Sequence, residues 1–230
     1  MAHTMTAIVP MRHRSERVPG KNHRTFVDRP LYHHVIETLL RARGVDRVVI
    51  DTDSPTIMDD AAKRFADVTV LERPERLRGG ETPMNDVLLS TCDRVESDFY
   101  LQTHATNPLL RPETVDEAIE RFHAAYPVQD SLFAVTRVQA RLWDQIARPI
   151  NHNAAMLLRT QDLPPVYLEN SCLYVFTRDR LAARHNRIGE RPIMFEMDPL
   201  EATDIDEEID FHVGEALHRI YHAEGGAGGG

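Results

Sequence analysis

Of its 230 residues the chain has only two cysteines, Cys92 and Cys172, and no short motif joins them. Two such residues cannot form a disulfide framework. They give no paired redox thiols or thiolate metal cluster, and they suit a reducing, cytoplasmic setting. No apolar run approaches the length of a membrane span, and the early residues hold no signal-peptide core. A surplus of positive charge is missing too: 27 Lys and Arg stand against 36 Asp and Glu, for a net charge of −9. Wrapping nucleic acid or lying on an acidic membrane needs a broad basic surface, so neither partner is expected. Internal repeats are absent. The opening MAHTM reads as containing an appended start, and the closing GGAGGG as a flexible Gly-rich tail (225–230).

What the chain does contain is alternation. TAIVP (6–10) and DRVVIDT (46–52) are β-branched runs bounded by breakers, the pattern of buried strands. Between them Leu31, Val35, Ile36, Leu39 and Leu40 recur at helical spacing. Helix signals around Ile57–Phe65, Met84–Leu88 and Val115–Phe122 then alternate with strand signals at DVTVLE, DFYLQT and SLFAVTRV. Strands alternating with helices predict an α/β fold, a mainly parallel twisted sheet with helices on both faces, as one domain over 5–224. Residues 139–170, rich in Pro, Asn and Arg, read as a small irregular insertion. CLYVF (172–176) resumes strand character, and a last helix runs from Glu207 to about His222.

In such sheets ligands sit beyond the carboxyl ends of the strands. The stretch directly after the first strand, VPMRHRSERVPGKNHR (9–24), gathers Arg12, Arg14, Arg17, Lys21 and Arg24 against one acid, Glu16. A local basic cluster on an acidic chain points to a compact anion such as a triphosphate, held by guanidinium forks and a lysine point charge. Pro19 and Gly20 shape the loop, and the pattern is not the GxxxxGK[ST] phosphate loop. Charge alone leaves a solvated loop as an equal reading.

Order and spacing add to this. IVPMRHRSERVPGKN resembles the opening signature of the CMP-sugar-acid synthetases. The likeness continues through RPLYHHVIETLL, VVIDTDSPTI, VLERPERLRGGETPMNDVLL, LQTHATNPLLRPETVDEAI, RTQDLPPVYLENSCLYVF and ATDIDEEIDF. The compound pattern, in order over nearly the whole chain, resembles the acylneuraminate cytidylyltransferase family, whose fold is a Rossmann-like nucleotidyltransferase sheet. The resemblance implies CTP phosphates on Arg12, Ser15 and Lys21, with Arg17 a further phosphate ligand and Asn22 near the cytosine; Arg14 and Arg24 remain surface charge. It places Arg73 near the base and Thr82 near the nucleotide, although Gly79-Gly80 also reads as a plain turn and Arg76 or Arg78 could make the contact. It implies Mg²⁺ on Asp204 and Asp206, which on an extended segment are expected to need a turn between them. The bare sequence also allows Asp204-x-x-Glu207 to be a helix-capping box. On the acceptor side it implies Gln102, Arg159, Gln161, Asn170 and Tyr174. Relatives dimerise through the segment corresponding to 139–170, so a homodimer is expected.

Three departures bear on the acceptor. Gln102 and Thr106 are two residues further apart than in the family's Gln-Pro-Thr-Ser-Pro-Leu, Asn107 replaces its second hydroxyl residue, and Ser171 stands where relatives carry glycine. His104 reads as a partly exposed loop histidine rather than a catalytic base. Arg187 and Arg191 could neutralise a carboxylate or serve a subunit contact. Neither a Ser-His-Asp nor a Cys-His relay is legible, and the twelve histidines show no zinc spacing. The expected reaction is transfer of CMP from CTP to an acidic sugar of the sialic-acid class, with Arg12, Lys21 and Asp206 at the reacting groups. The alternatives are the same chemistry on another acid (Kdo, a legionaminic- or pseudaminic-type acid, a phosphonate), a nucleotide-binding module without catalysis, and a glycosyltransferase on a related sheet.

Overall fold

The computed structural model describes residues 3–15 and 17–225; residues 1–2, Glu16 and the tail residues 226–230 lie outside them. Nine strands and six α-helices follow the alternation of the sequence: β1 (Met5–Met11), β2 (Thr25–Phe26), β3 (Arg29–Pro30), α1 (Leu31–Arg41), β4 (Arg47–Thr52), α2 (Pro55–Arg64), β5 (Val68–Glu72) and α3 (Met84–Cys92). Then come β6 (Phe99–Thr103), α4 (Pro112–Ala125), β7 (Ser131–Val138), β8 (Val166–Phe176), α5 (Arg178–Arg184), β9 (Pro192–Glu196) and α6 (Glu208–Gly225).

Seven strands form one sheet in the order β5-β4-β1-β6-β8-β7-β9, and β2 pairs with β3 in a separate hairpin. From β5 to β6 the pairings are parallel. β8 runs antiparallel to both β6 and β7, and β9 is parallel to β7. The sheet is therefore mixed, with its parallel half where the strand–helix repeat is regular.

Strand periodicity assigns the two faces. Met5, Ala7 and Val9 of β1 join a cluster with Val35, Leu39, Ile57, Ala61, Ile119 and Phe122, so α1, α2 and α4 cover that side. Ile8, between them, points the other way, to Leu88, Cys92, Tyr100, Phe176 and Leu181 of the α3/α5 side. Residues buried on both faces explain why these strands read as continuous apolar runs.

Four elements were not legible: the strands β2 and β3, two residues each and too short to show a period, and two more. β9 opens on a proline and lies at the sheet edge, where it carries little apolar signal. The other, α5, is seven residues long and buries only Leu181. β8 also starts at Val166, within the stretch expected to be irregular, because β7 holds it through a bulge.

Candidate functional site

The chain passes from β1 outward to β4 and β5 on one side and then crosses to β6 on the other side of β1, so a crevice opens beyond the carboxyl end of β1. A cleft of about 480 Å³ lies there, lined by Arg12, Arg14, Ser15, Arg17, Lys21 and Asn22 from the loop after β1. Gly80 and Glu81 approach from another side, His104, Ala105 and Thr106 from the turn after β6, Ser171 from β8, and Asp204 and Asp206 from the segment before α6.

The basic loop is anchored to the fold at Val18 and Lys21, while Arg12, Arg14 and Arg17 stand exposed on it. Val18 is fully buried in a third cluster with Phe26, Leu31, Ile205 and Phe211. Gly20 turns the chain with φ 68°, a left-handed conformation that disfavours any side chain, and a Cβ there would come within 3.1 Å of the His23 ring. Lys21 then starts a short 3₁₀ turn, Lys21–His23. Its Nζ, buried, donates to the Ile205 carbonyl at 2.5 Å and lies 3.3 Å from Asp206 Oδ1. Arg17 Nη2 donates to the same oxygen at 2.8 Å. Asn22 Nδ2 donates to the Arg12 carbonyl at 3.2 Å. Arg24, expected to be free surface charge, binds Glu208 through both nitrogens at 2.7 Å and lies over the Phe211 ring, tying the loop to α6. Arg14, also expected to be surface charge, lines the cleft.

The capping alternative for Asp204 is excluded. Asp210 closes α6, its Oδ2 accepting from the Glu207 N–H at 2.7 Å and the Asp206 N–H at 3.0 Å. Nor is a turn needed to align the aspartates. Ile205 is fully buried between them, and residues two apart on an extended segment share a side. Solvent reaches Asp204 along the open cleft, yet enough protein packs round its carboxyl to raise its pKa. Burial is the main cause and nearby Asp206 adds to it, while a hydrogen bond from Thr106 and the charge of Lys21 oppose it.

Seven of the expected site residues thus line one cleft: Arg12, Ser15, Arg17, Lys21, Asn22, Asp204 and Asp206. The other seven do not. Arg73 is 2% exposed and its Nε donates to buried Asp51 at 2.6 Å, so it braces the β4 end instead of facing a base. Arg78 is likewise engaged, with Glu72 and the Arg73 carbonyl. Thr82 is half-buried outside the lining, in the turn that Gly79 opens. Arg159 pairs with Asp162 at 2.7 Å, and it and Gln161 are exposed and outside the cleft lining. Asn170 binds Thr136 and the Cys172 N–H, holding the β8 bulge. Gln102 and Tyr174 are fully buried, behind the lining.

Those two form a layer that supports it. Arg187 Nη1 donates to Gln102 Oε1 at 2.8 Å, and its guanidinium lies 3.7 Å from the centre of the Tyr174 ring. Tyr174 Oη donates to Glu169 and, at 3.2 Å, accepts from the Ser171 hydroxyl. In front of them stand His104 and Ser171, which sequence reasoning did not select. Ser171 has φ 59°; its place in a family glycine position was the available signal. His104 has its pKa lowered to about 4, chiefly by burial and then by Arg187 and Lys21, with Asp206 opposing. Neither cysteine competes as a nucleophile: burial pushes Cys92 up to about 12 and raises Cys172 also.

A cleft with a cationic wall and two facing carboxylates can hold a polyphosphate and screen its charge, and Asp204 and Asp206 offer only oxygen donors. Among the described residues no set of three or more His, Cys, Asp and Glu could hold a metal. That donor set suits an ion such as Mg²⁺, which keeps waters and shares itself between one or two carboxylates and phosphate.

A family model described as cytidylyltransferase matches residues 6–224. The chain is 29% identical to the CMP-N,N'-diacetyllegionaminic acid synthase of Legionella pneumophila, covering 93% of this chain and 96% of that one. It is 26% identical to the 3-deoxy-manno-octulosonate cytidylyltransferase of Escherichia coli over 76% of this chain and 72% of that one. It is 28% identical to the N-acylneuraminate cytidylyltransferase B of Danio rerio, over 91% of this chain but half the length of the fish protein. A structure of CMP:2-keto-3-deoxy-manno-octonic acid synthetase complexed with CTP superimposes with a TM-score of 0.71 at 16% identity, over 95% of this chain and 99% of that one, a likeness of fold.

Proposed function

The chain belongs to the cytidylyltransferase family, and we propose that it transfers CMP from CTP to an acidic sugar of the nonulosonic, sialic-acid-like class, releasing pyrophosphate. The observation that carries the reading is the juxtaposition, in one cleft, of Arg12, Arg14, Arg17 and Lys21 with Asp204 and Asp206.

A hydroxyl of the acid attacks the α-phosphorus in line and gives up its proton to water, the α–β bridging oxygen leaves with the electron pair of its bond, and pyrophosphate departs. Catalysis comes from positioning and charge screening without a covalent enzyme intermediate. Arg12 and Lys21 hold the β- and γ-phosphates and neutralise the charge that grows on them, and Ser15 and Arg17 complete the grip. Lys21 is placed in advance by its bond to the Ile205 carbonyl, so no reorganisation is needed when charge develops. Asp204 and Asp206 would hold Mg²⁺, which supplies Lewis-acid polarisation of phosphate oxygens when bound. Arg17 and Lys21, which now bond Asp206, are then free for the nucleotide.

The altered turn at His104–Thr106 and the Ser171 side chain reshape the acceptor end of the cleft. That favours, as a second reading, the same transfer to a different acid, among them Kdo, legionaminic- or pseudaminic-type acids and phosphonates. We also place the protein in the cytoplasm, on its two buried free cysteines, and no helix among the described residues is long and apolar enough to cross a membrane. The segment 139–170 serves as the homodimer contact: Trp143, Ile146, Ile150, Met156 and Leu157 are each more than half exposed there. Light scattering tests that assembly.

The test of function is pyrophosphate release from CTP and Mg²⁺ with a panel of these acids. Release with N-acetylneuraminate or a close nonulosonic acid is expected. Release with none, while CTP still binds, would overturn the reading in favour of a non-catalytic module.

A further inference from the structure

Gln102 sits between two partners that differ in what they accept. Arg187 Nη1 lies 2.8 Å from one end of its amide and His104 Nε2 lies 3.0 Å from the other. A guanidinium only donates, so the atom facing Arg187 is the amide oxygen. The NH₂ end therefore faces His104. A second contact agrees with this orientation, since Gln102 Nε2 also donates to the Thr103 carbonyl at 3.3 Å. Two N–H groups cannot meet, so His104 Nε2 carries no proton. Because Gln102 is fully buried between β6 neighbours and cannot flip freely, its orientation is fixed by Arg187. Arg187 is held in turn over the Tyr174 ring.

We propose that the Arg187–Gln102 relay fixes His104 as the Nδ1–H tautomer, and that this N–H binds the carboxylate of the acceptor acid. The assignment of the bound group rests on the reading of the acceptor given above. With Nε2 accepting from Gln102, Nδ1 is the one nitrogen left to act in the cleft, and it acts as a donor. The triphosphate has its own cations on the loop after β1. The acceptor end, by contrast, has His104 and Ser171 as polar side chains, beside a turn whose spacing departs from the family pattern. The charges bearing on the ring are Arg187, Lys21 and Asp206. The two cations favour an anion beside it, and Asp206, here engaged by Arg17 and Lys21, would be screened by Mg²⁺ once those cations turn to the nucleotide. His104 is thus a binding residue and not a proton acceptor, while Gln102 and Arg187 are positioning residues. The relay also explains why two residues expected to touch substrate are fully buried: they set the chemistry of the group in front of them.

The experiment has a spectroscopic arm and a kinetic arm, both on the full chain. Long-range ¹⁵N–¹H spectra of histidine-labelled protein at pH 7, with His104 assigned by loss of its signal in His104→Gln, should show the Nδ1–H tautomer. In Gln102→Glu a carboxylate replaces the donor, and His104 should switch to the Nε2–H tautomer, which leaves Nδ1 without a proton. A wild-type Nε2–H tautomer, or a Gln102→Glu spectrum identical to wild type, overturns the relay. In the kinetic arm, with whichever panel acid triggers pyrophosphate release, His104→Ala should raise the KM for that acid about tenfold and leave the KM for CTP within about twofold. His104→Gln, which restores an N–H donor, should recover most of the loss, and Gln102→Glu should reproduce the alanine defect. An unchanged acid KM in His104→Ala overturns the contact. Absence of release with every acid brings down the acceptor reading instead, and the spectra still decide the tautomer.

Discussion

Arg17 and Asp206 stand 189 positions apart in the chain, and Arg17 Nη2 lies 2.8 Å from Asp206 Oδ1. Lys21 Nζ reaches the same oxygen at 3.3 Å. The two cations differ in setting: Arg17 is 61% exposed and Lys21 only 11%. Exposed ion pairs contribute little to stability, so Arg17→Ala should leave the melting temperature unchanged and weaken CTP binding. Lys21→Met should also raise the KM for CTP, roughly tenfold or more. In addition it should destabilise the fold by about 1–3 kcal/mol, because the Ile205 carbonyl loses its buried donor. Chemical denaturation together with CTP kinetics on the two variants separates these outcomes.

Asp206→Asn should lower kcat by roughly 100-fold or more and weaken the dependence on Mg²⁺, since one of two oxygen ligands loses its charge. A magnesium titration of pyrophosphate release measures both. Unchanged turnover would remove Asp206 from the reacting groups.

Arg73 and Asp51 form a buried pair at 2.6 Å, and Thr91 Oγ1 donates to the second Asp51 oxygen at 3.0 Å. Removing one partner of such a pair leaves an uncompensated buried charge, so Arg73→Met should cost about 3–5 kcal/mol of stability. The KM for CTP, measured on the protein that folds, should stay near that of the wild type. A large rise in that KM with normal stability would restore Arg73 to the base contact the sequence suggested.

Ser171 carries φ 59° in the β8 bulge. A β-branched residue fits that region poorly, so Ser171→Val should destabilise by about 1–2 kcal/mol, whereas glycine should be tolerated to within about 0.5 kcal/mol. Thermal melts compare the two. A valine variant as stable as the glycine variant would contradict the backbone assignment.

His34 is 3% exposed, hydrogen-bonds the Phe26 carbonyl at 3.1 Å, and has its pKa lowered from 6.5 to about 4, mainly by burial and then by Arg29. Its folded value lies below its unfolded one, so the unfolded chain binds the extra proton between them. The stabilising contribution is complete above pH 6.5 and is lost as pH falls toward 4, at up to about 1.4 kcal/mol per pH unit. His34→Gln keeps a donor for Phe26 and should flatten the fall in stability between pH 7 and 5. Equal slopes in the two proteins would show that His34 does not set this behaviour.

The residues at the site divide by how they are held. Arg12, Ser15, Arg17, Lys21 and Asn22 lie within one short loop after a strand, and Asp204 and Asp206 in one segment before a helix, so local order was enough to propose them. Arg73, Gln102, Asn170 and Tyr174 have the same residue types that contact ligands, and nothing local distinguishes a side chain facing the cleft from one facing a buried partner. Asp51, Arg187 and Thr136 make that distinction for Arg73, Gln102 and Asn170 from another part of the chain, and Glu169 makes it for Tyr174 across the β8 bulge.

By itself the order of residues determined the alternation of strands and helices, the loop that emerges from β1, and the charge gathered on it. These follow from periodicity, breakers and composition, which act over a few residues. Tertiary structure decided which carboxylates face that loop, which expected ligands are braced behind the cleft, and which nitrogen of His104 bears the proton. Each of those depends on burial and on the donor or acceptor nature of a partner far away in sequence, which only packing brings within hydrogen-bonding distance.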